Sequence, residues 1–130
     1  MSQDTRDLFE LSLQDSELAG AEAQGDTLVL RLAAAHVQRP QSRQHGYVRH
    51  LELWCLQARW EGTLAEAIGR IREAQASMDG ALLRLHAPGR ATGEVRLSLS
   101  LGFGAVLVVH AAAVEARFAG TPGFRESLAC

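Results

Sequence analysis

The segment from Glu94 to Leu101 alternates polar and apolar residues without interruption, and the turn sequence Gly102-Phe103-Gly104 follows it. Because successive side chains of a β-strand point to opposite faces, this pattern predicts a strand with one buried and one solvated face. The apolar run after the turn, residues 105–109, is unbroken and predicts the more deeply buried arm of an antiparallel hairpin. The buried face of the first arm is predicted to consist of Val95, Leu97, Leu99 and Leu101.

The composition indicates the size and class of the molecule. With 130 residues, 47% hydrophobic and 22% charged, the chain is expected to form a single domain over residues 1–130 with its own core. Its formal net charge of -2 gives no general attraction to nucleic acid or to an anionic membrane, so neither is expected as a partner. All 13 basic residues are arginines, and the chain has no lysine or asparagine, a bias typical of a GC-rich bacterial genome.

The cellular compartment is predicted from the N-terminal residues and the cysteines. Residues 1–7 are polar, and no run of about 18 apolar residues occurs, so neither a signal peptide nor a membrane-spanning helix is predicted. The protein is therefore expected to be cytoplasmic. Cys55 and Cys130 are expected to be free thiols in a reducing cytosol.

Further short strands are predicted at residues 7–13, 27–37, 81–85 and 124–128, each bounded by turn signals or polar residues. Joined by turns, these elements predict a mainly β fold. The expected architecture is an antiparallel β-sandwich or a partly open barrel of about eight strands.

The long mixed segment 47–60 changes its apolar phase. Apolar residues stand at odd positions around Leu51 and at even positions near Trp60. A one-residue shift of this kind indicates a β-bulge, which we expect at Trp54 and Cys55.

Residues 63–78 are the one helical candidate. A capping box is present at Thr63-Leu64-Ala65-Glu66, apolar residues recur at helical spacing, and Asp79-Gly80 supplies a stop signal. Gly69 lies inside the segment, where it costs about 1 kcal/mol relative to alanine in a helix. The alternative is that residues 69–76 pair in the sheet, so the fold contains at most one short helix near 63–78.

Three stretches, Gly46–Leu53, Gly93–Leu99 and the ending Phe124–Cys130, resemble those of a group of small uncharacterised bacterial proteins with a similar C-terminal ending. The resemblance spans most of the chain. It implies a mainly β fold, which counts against the helix at 63–78, and it implies no activity.

The sequence lacks the spacing of common catalytic and metal sites. His50 and Cys55 are five positions apart and would point to opposite faces of a regular strand, and no Cys-x-x-Cys or His-x-His pair occurs. No Gly-x-Ser-x-Gly nucleophile elbow is present, and Ser98 and Ser100 belong to a regular solvated strand face. We therefore predict no metal site, no cofactor and no assigned catalytic residue.

The segment 27–51 contains no acidic residue, although the whole chain is net acidic. Its centre is the polar loop 38–46. Arginines and histidines in a loop that leads into a strand predict recognition of an anion, such as phosphate or carboxylate, or of an acidic protein surface. The alternative is a solvated loop without a ligand. The candidate ligand-binding residues are Arg39, Arg43, His45, Arg49 and His50.

Two functions from different classes follow from these patterns. The first is a non-catalytic binding or accessory module, with a homodimer as one arrangement, and the missing catalytic patterns favour it. The second is a small enzyme that uses a pocket histidine as acid or base near Trp54 and Trp60, with His36, His50 and His110 as candidates. A histidine within hydrogen-bond reach of Glu52, Glu115 or Cys55 would favour the enzyme.

Overall fold

The computed structural model of the protein describes residues 8–121 and 123–127, which form eleven strands and one 3₁₀ turn. Six of the strands close into an antiparallel barrel, and the others lie outside this ring. In chain order the strands are β1 (Phe9–Gln24), β2 (Thr27–Gln38), β3 (His45–Val48), β4 (Leu51–Leu56), β5 (Arg59–Glu61), β6 (Gly69–Met78), β7 (Ala81–Leu82), β8 (Leu85–Ala87), β9 (Gly89–Leu101), β10 (Val106–Phe118) and β11 (Arg125–Glu126).

The barrel closes in the order β1, β2, β4, β10, β9 and β6, and β6 returns to β1. This last contact consists of two residue pairs, Glu17 with Arg70 and Leu18 with Gly69. The mainly β fold is therefore confirmed, in its barrel form, and the ring is closed instead of partly open. Closure therefore pairs β1 and β6 at these residues, where an open sheet would leave two free edges.

The predicted inward face of β9 is confirmed. Val95, Leu97 and Leu99 are fully buried, and the polar residues between them face outwards. The partner arm differs from its prediction, because Val106 is 51% exposed while Leu107 is buried. Each strand of a single-layer barrel has only one inner face, so an unbroken apolar run does not require burial on both sides.

The segment 63–78 contains a single-turn 3₁₀ helix at Leu64–Glu66 followed by strand β6, so the α-helix is wrong and the sheet alternative is observed. Gly69 begins the strand with a φ of 109°, which favours glycine. β6 forms a ladder with β9 from Ile71 to Met78. These tertiary pairs outweigh the local helical preference.

The turn after β6 explains the supposed helix stop. Asp79 and Gly80 both have positive φ and join β6 to β7, with Met78 paired to Ala81. A two-residue Asp-Gly loop with this geometry is typical of a tight β-hairpin. The same dipeptide therefore continues the sheet instead of ending a helix.

The phase change in the segment 47–60 is real, but it lies at Gln57 and not at Trp54 and Cys55. β4 is regular, and its odd-numbered side chains face the core. Gln57 has a φ of 50°, and beyond it the even-numbered Ala58 and Trp60 pack against the core. Because Gln57 has a left-handed backbone conformation, the side chains that face the core change from the odd-numbered positions of β4 to the even-numbered positions of β5.

Cys55 is a buried free cysteine, and burial raises the pKa of its thiol to about 12. The thiol is therefore protonated and behaves as a small apolar side chain. Cys130, the N-terminal residues 1–7 and the end of the strand predicted at 124–128 lie outside the described residues. In the part of the chain that the structure describes, no helix is long and apolar enough to cross a membrane.

Candidate functional site

The five predicted ligand-binding residues are divided by strand β3. Arg39 and Arg43 lie in the turn between β2 and β3, and His45 begins β3. Arg49 and His50 lie in the bend between β3 and β4. A strand of about four residues spans roughly 13 Å. Arg43 lines one cavity, and Arg49 and His50 line another. The segment 38–50 therefore contributes to two surface sites.

Arg43 lines a cavity of about 670 Å³, and Arg84 lines the same cavity from the segment that joins β7 to β8. Neither guanidinium forms a salt bridge with a carboxylate of the described residues. β1 contributes Glu10, Leu11 and Ser12 to the lining. This cavity, which we call the arginine cavity, brings together two cationic groups that are far apart in sequence.

Arg39 positions the turn that carries Arg43. Its guanidinium carbon lies 4.4 Å from the ring centroid of Phe124 and 5.1 Å from that of Phe9. The two phenylalanine rings are stacked, with centroids 5.5 Å apart. Within the turn, the Arg43 N–H donates to the Arg39 carbonyl at 2.8 Å. Arg39 therefore fastens the β2–β3 turn to an aromatic cluster by cation–π contact.

Arg49 and His50 line a second cavity, of about 560 Å³, together with Glu17, Arg31 and Glu52. Arg31 lies 2.9 Å from a carboxylate oxygen of Glu22 and 3.3 Å from one of Glu52. The hydrogen bond to Glu22 raises the pKa of Arg31. The carboxylates of Glu22 and Glu52 already neutralise much of the positive charge of Arg31. The second cavity is therefore less suited to an anion than the arginine cavity.

His45 belongs to an aromatic stack on the outer surface of β2 and β3. Its ring is stacked on His36 at 5.7 Å between centroids, and Tyr47 lies 5.3 Å from His36 on the same surface. The Nδ1 atom of His36 is buried and has no hydrogen-bond partner. Burial, with a smaller contribution from His45, lowers the pKa of His36. Burial of the His36 ring therefore disfavours its charged form.

The lowered pKa of His36 predicts that stability decreases in mild acid. The unfolded chain takes up a proton on this histidine near pH 6.5, whereas the folded state resists protonation. The contribution of neutral His36 to the free energy of unfolding is therefore fully present above about pH 6.5. It is lost as the pH falls towards the lowered folded-state pKa. Asp15 acts in the opposite direction and weakens the effect. Urea unfolding between pH 8 and pH 5 measures it.

The matched variant for this measurement is His36→Phe, which keeps an aromatic ring in the stack and removes the titrating group. We expect its free energy of unfolding to decrease less between pH 7 and pH 5 than that of the wild type. His86→Phe changes an exposed histidine on β8 and is the control. Equal pH dependence in the wild type and His36→Phe would contradict the assignment.

The hydrogen-bond pattern that would favour the enzyme does not occur in the described residues. Glu52 accepts from Trp54 Nε1 at 3.1 Å and from Arg31, and Glu115 accepts from Arg117 at 2.7 Å. His110 Nε2 lies 3.7 Å from a carboxylate oxygen of Glu61. Within residues 8–121 and 123–127, no group of three histidine, cysteine or acidic side chains is placed to hold a metal ion.

The site as a whole is a cationic surface cavity beside a closed six-stranded barrel. Comparison of the chain with protein-family models, with curated proteins and with solved structures gives no match. The function is therefore inferred from the cavities and their side chains.

Proposed function

We propose that the protein is a small, non-catalytic binding module that recognises an anionic group with Arg43 and Arg84. The observation that carries this proposal is that both arginines line one cavity of about 670 Å³ without a carboxylate partner in the described residues. The planar guanidinium presents a fork of N–H donors that matches carboxylate and phosphate oxygens. Two such forks in one cavity are suited to one anion.

The charge of the lining favours a carboxylate over a multiply charged phosphate. Glu10 lines the same cavity, so its two arginines are opposed by one acidic group. A single carboxylate matches the one positive charge that remains, whereas a di- or triphosphate carries more negative charge than the cavity compensates. The partner is thus a small carboxylate or an acidic group on a larger molecule.

A cytoplasmic location in a bacterial cell is part of this proposal. The free, buried Cys55 thiol supports it, since reducing compartments keep cysteines in this form. The exposed guanidinium groups act through a Debye length of about 8 Å at physiological ionic strength, so binding should be modest and sensitive to salt.

Thermal-shift titration with acetate, succinate, sulfate and phosphate tests the proposal. At ten times Kd, we expect the carboxylates to raise the Tm of the wild type by about 4 °C, and 0.5 M sodium chloride to reduce the shift. The double variant Arg43→Gln/Arg84→Gln should lose the response. The control Arg59→Gln/Arg72→Gln removes the same charge from exposed positions that do not line the arginine cavity.

A third variant separates the two cavities. Arg49→Gln/His50→Gln changes the second cavity alone, and we expect it to keep the carboxylate response. Loss of the response in this variant, with retention in Arg43→Gln/Arg84→Gln, would move the site to the second cavity. An equal response of all four proteins would show that the arginines are merely solvated.

A further inference from the structure

The barrel wall has an opening between β1 and β6. β6 pairs with β9 along Ile71–Met78, but its other edge pairs only near its ends, with β1 at Gly69 and Arg70 and with β7 at Ser77 and Met78. Between these pairs, β1 and β6 are not hydrogen-bonded to each other. A cavity of about 470 Å³ lies between them.

The free backbone groups at this opening belong to β6. The Ala76 carbonyl accepts a hydrogen bond from the Leu83 N–H at 2.9 Å, so the backbone of Ala76 points away from β9. Residues two positions apart direct their backbone groups to the same side of a strand. The backbone N–H and C=O of Ala74 therefore also point into the opening. No described strand pairs with that edge of β6 at Ala74.

Two carbonyl groups on the β1 side of the opening accept hydrogen bonds from serine hydroxyls of the same strand. The Ser16 hydroxyl donates to the Ser12 carbonyl at 2.7 Å, and the Ser12 hydroxyl donates to the Gln14 carbonyl at 3.2 Å. A ligand in the opening therefore finds the unpaired edge of β6, while the Ser12 and Gln14 carbonyls of β1 already have partners.

The opening and the arginine cavity form one continuous groove. Four residues, Leu11, Ser12, Leu82 and Leu83, line both cavities. Leu82 is 78% exposed at the point where they meet, an unusual position for a large apolar side chain. The groove thus has two arginines at one end, leucines in the middle and an unpaired strand edge at the other end.

We propose that this groove binds an extended peptide by strand addition to β6, an inference that rests on the proposed anion site. The peptide carboxylate binds Arg43 and Arg84, its apolar side chains cover Leu82 and Leu83, and its backbone pairs with β6 at Ala74. Strand addition draws affinity from main-chain hydrogen bonds and specificity from side-chain contacts.

The polar part of the lining favours a peptide over a fatty acid. Gln14, Gln75 and Ser77 line the opening beside the free backbone groups. A hydrocarbon chain would cover these groups without giving them hydrogen-bond partners, which is unfavourable. A peptide backbone supplies a donor and an acceptor at every second residue on that side.

Fluorescence anisotropy tests the inference with a labelled hexapeptide of alternating valine and threonine that ends in a free carboxylate. We expect a Kd of about 10–100 μM. The same peptide with a C-terminal amide should bind the wild type about tenfold more weakly. The acid and the amide should bind equally to the variant Arg43→Gln/Arg84→Gln, because this variant lacks the two arginines that bind the C-terminal carboxylate.

Backbone pairing is tested with two further peptides, N-methylated at the odd or at the even amides. Only one set of amides faces β6 in an extended peptide, so one of the two should lose about tenfold in affinity and the other should bind normally. Ala74→Pro removes the matching N–H from β6 and should weaken the unmodified peptide. If this variant does not fold, the methylated peptides on the wild type decide the question.

The outcomes separate the two proposals. Equal binding of both methylated peptides, or displacement of the hexapeptide by decanoate at a lower concentration than by unlabelled peptide, would overturn strand addition. No peptide binding at 1 mM with an intact carboxylate thermal shift would overturn the peptide and leave the anion site standing. If the wild type shows neither peptide binding nor a carboxylate thermal shift, the proposed function is overturned as well.

Discussion

Leu99→Asp is expected to prevent the protein from folding. Leu99 is fully buried in β9, where it pairs with Ala74 on β6 and with Leu107 on β10. An unpaired carboxylate at such a position costs about 5 kcal/mol or more. This cost is comparable with the whole stability of a small domain, about 5–15 kcal/mol. Far-UV circular dichroism and a thermal melt of the purified variant measure the outcome.

The neighbouring residue supplies the matched control for this experiment. Ser98 lies on the outward face of the same strand, and we expect Ser98→Asp to change the free energy of unfolding by less than about 1 kcal/mol. A soluble Leu99→Asp protein that melts cooperatively at the wild-type midpoint would show that the inward face of β9 is assigned wrongly.

The inward face of β9 could be predicted because the two-residue period of a strand is a local property of the sequence. Closure of the barrel could not, since it depends on the two pairs between β1 and β6, Glu17 with Arg70 and Leu18 with Gly69. Those residues carry no pattern that distinguishes them from other surface positions. The sequence therefore predicts the class of fold and leaves the choice between barrel and sandwich open.

The error at residues 63–78 has the same origin. The capping box and the apolar spacing are local signals, and the ladder between β6 and β9 is a tertiary interaction that local signals do not contain. Thr63 makes no side-chain cap hydrogen bond, and the helical turn ends at Glu66. The residue that correctly indicated the strand was Gly69, which begins β6 with a positive φ.

The candidate site was predicted only in part. A segment without acidic residues is visible in the sequence, and it identifies Arg43. The division of that segment by β3 depends on the hydrogen bonds of this strand to β2 and β11. Arg84 was missed because it stands in a short connection between two minor strands. Only the fold places it in the same cavity as Arg43.

Ser16→Ala is expected to lower the free energy of unfolding by about 2 kcal/mol. Ser16 is the one fully buried polar residue of the described chain. Its hydroxyl donates to the Ser12 carbonyl at 2.7 Å and accepts from the His36 N–H at 2.8 Å. Alanine would leave both groups without a partner in a site where water has little access. Urea unfolding at pH 8, where His36 is neutral in both states, measures the loss.

The reason for this large effect is the irregular pairing of β1 with β2. The register shifts between Ser12 and Glu17, directly after the pair of Ser12 with His36, so the ladder is interrupted at a bulge in β1. Ser16 lies in this bulge, where its hydroxyl accepts from the His36 N–H and donates to the Ser12 carbonyl. Ser12→Ala, which removes an exposed hydroxyl from the same bulge, should cost less than about 0.5 kcal/mol. Equal losses in the two variants would mean that Ser16 does not stabilise the bulge.

The bulge also connects stability with the proposed binding groove, because it lies on the β1 side of the opening that faces β6. Loss of the Ser16 hydrogen bonds should therefore increase amide hydrogen exchange at His36 and along residues 12–16 more than in the β9–β10 hairpin. Protection that falls uniformly over the barrel would instead show that the bulge unfolds only together with the whole domain.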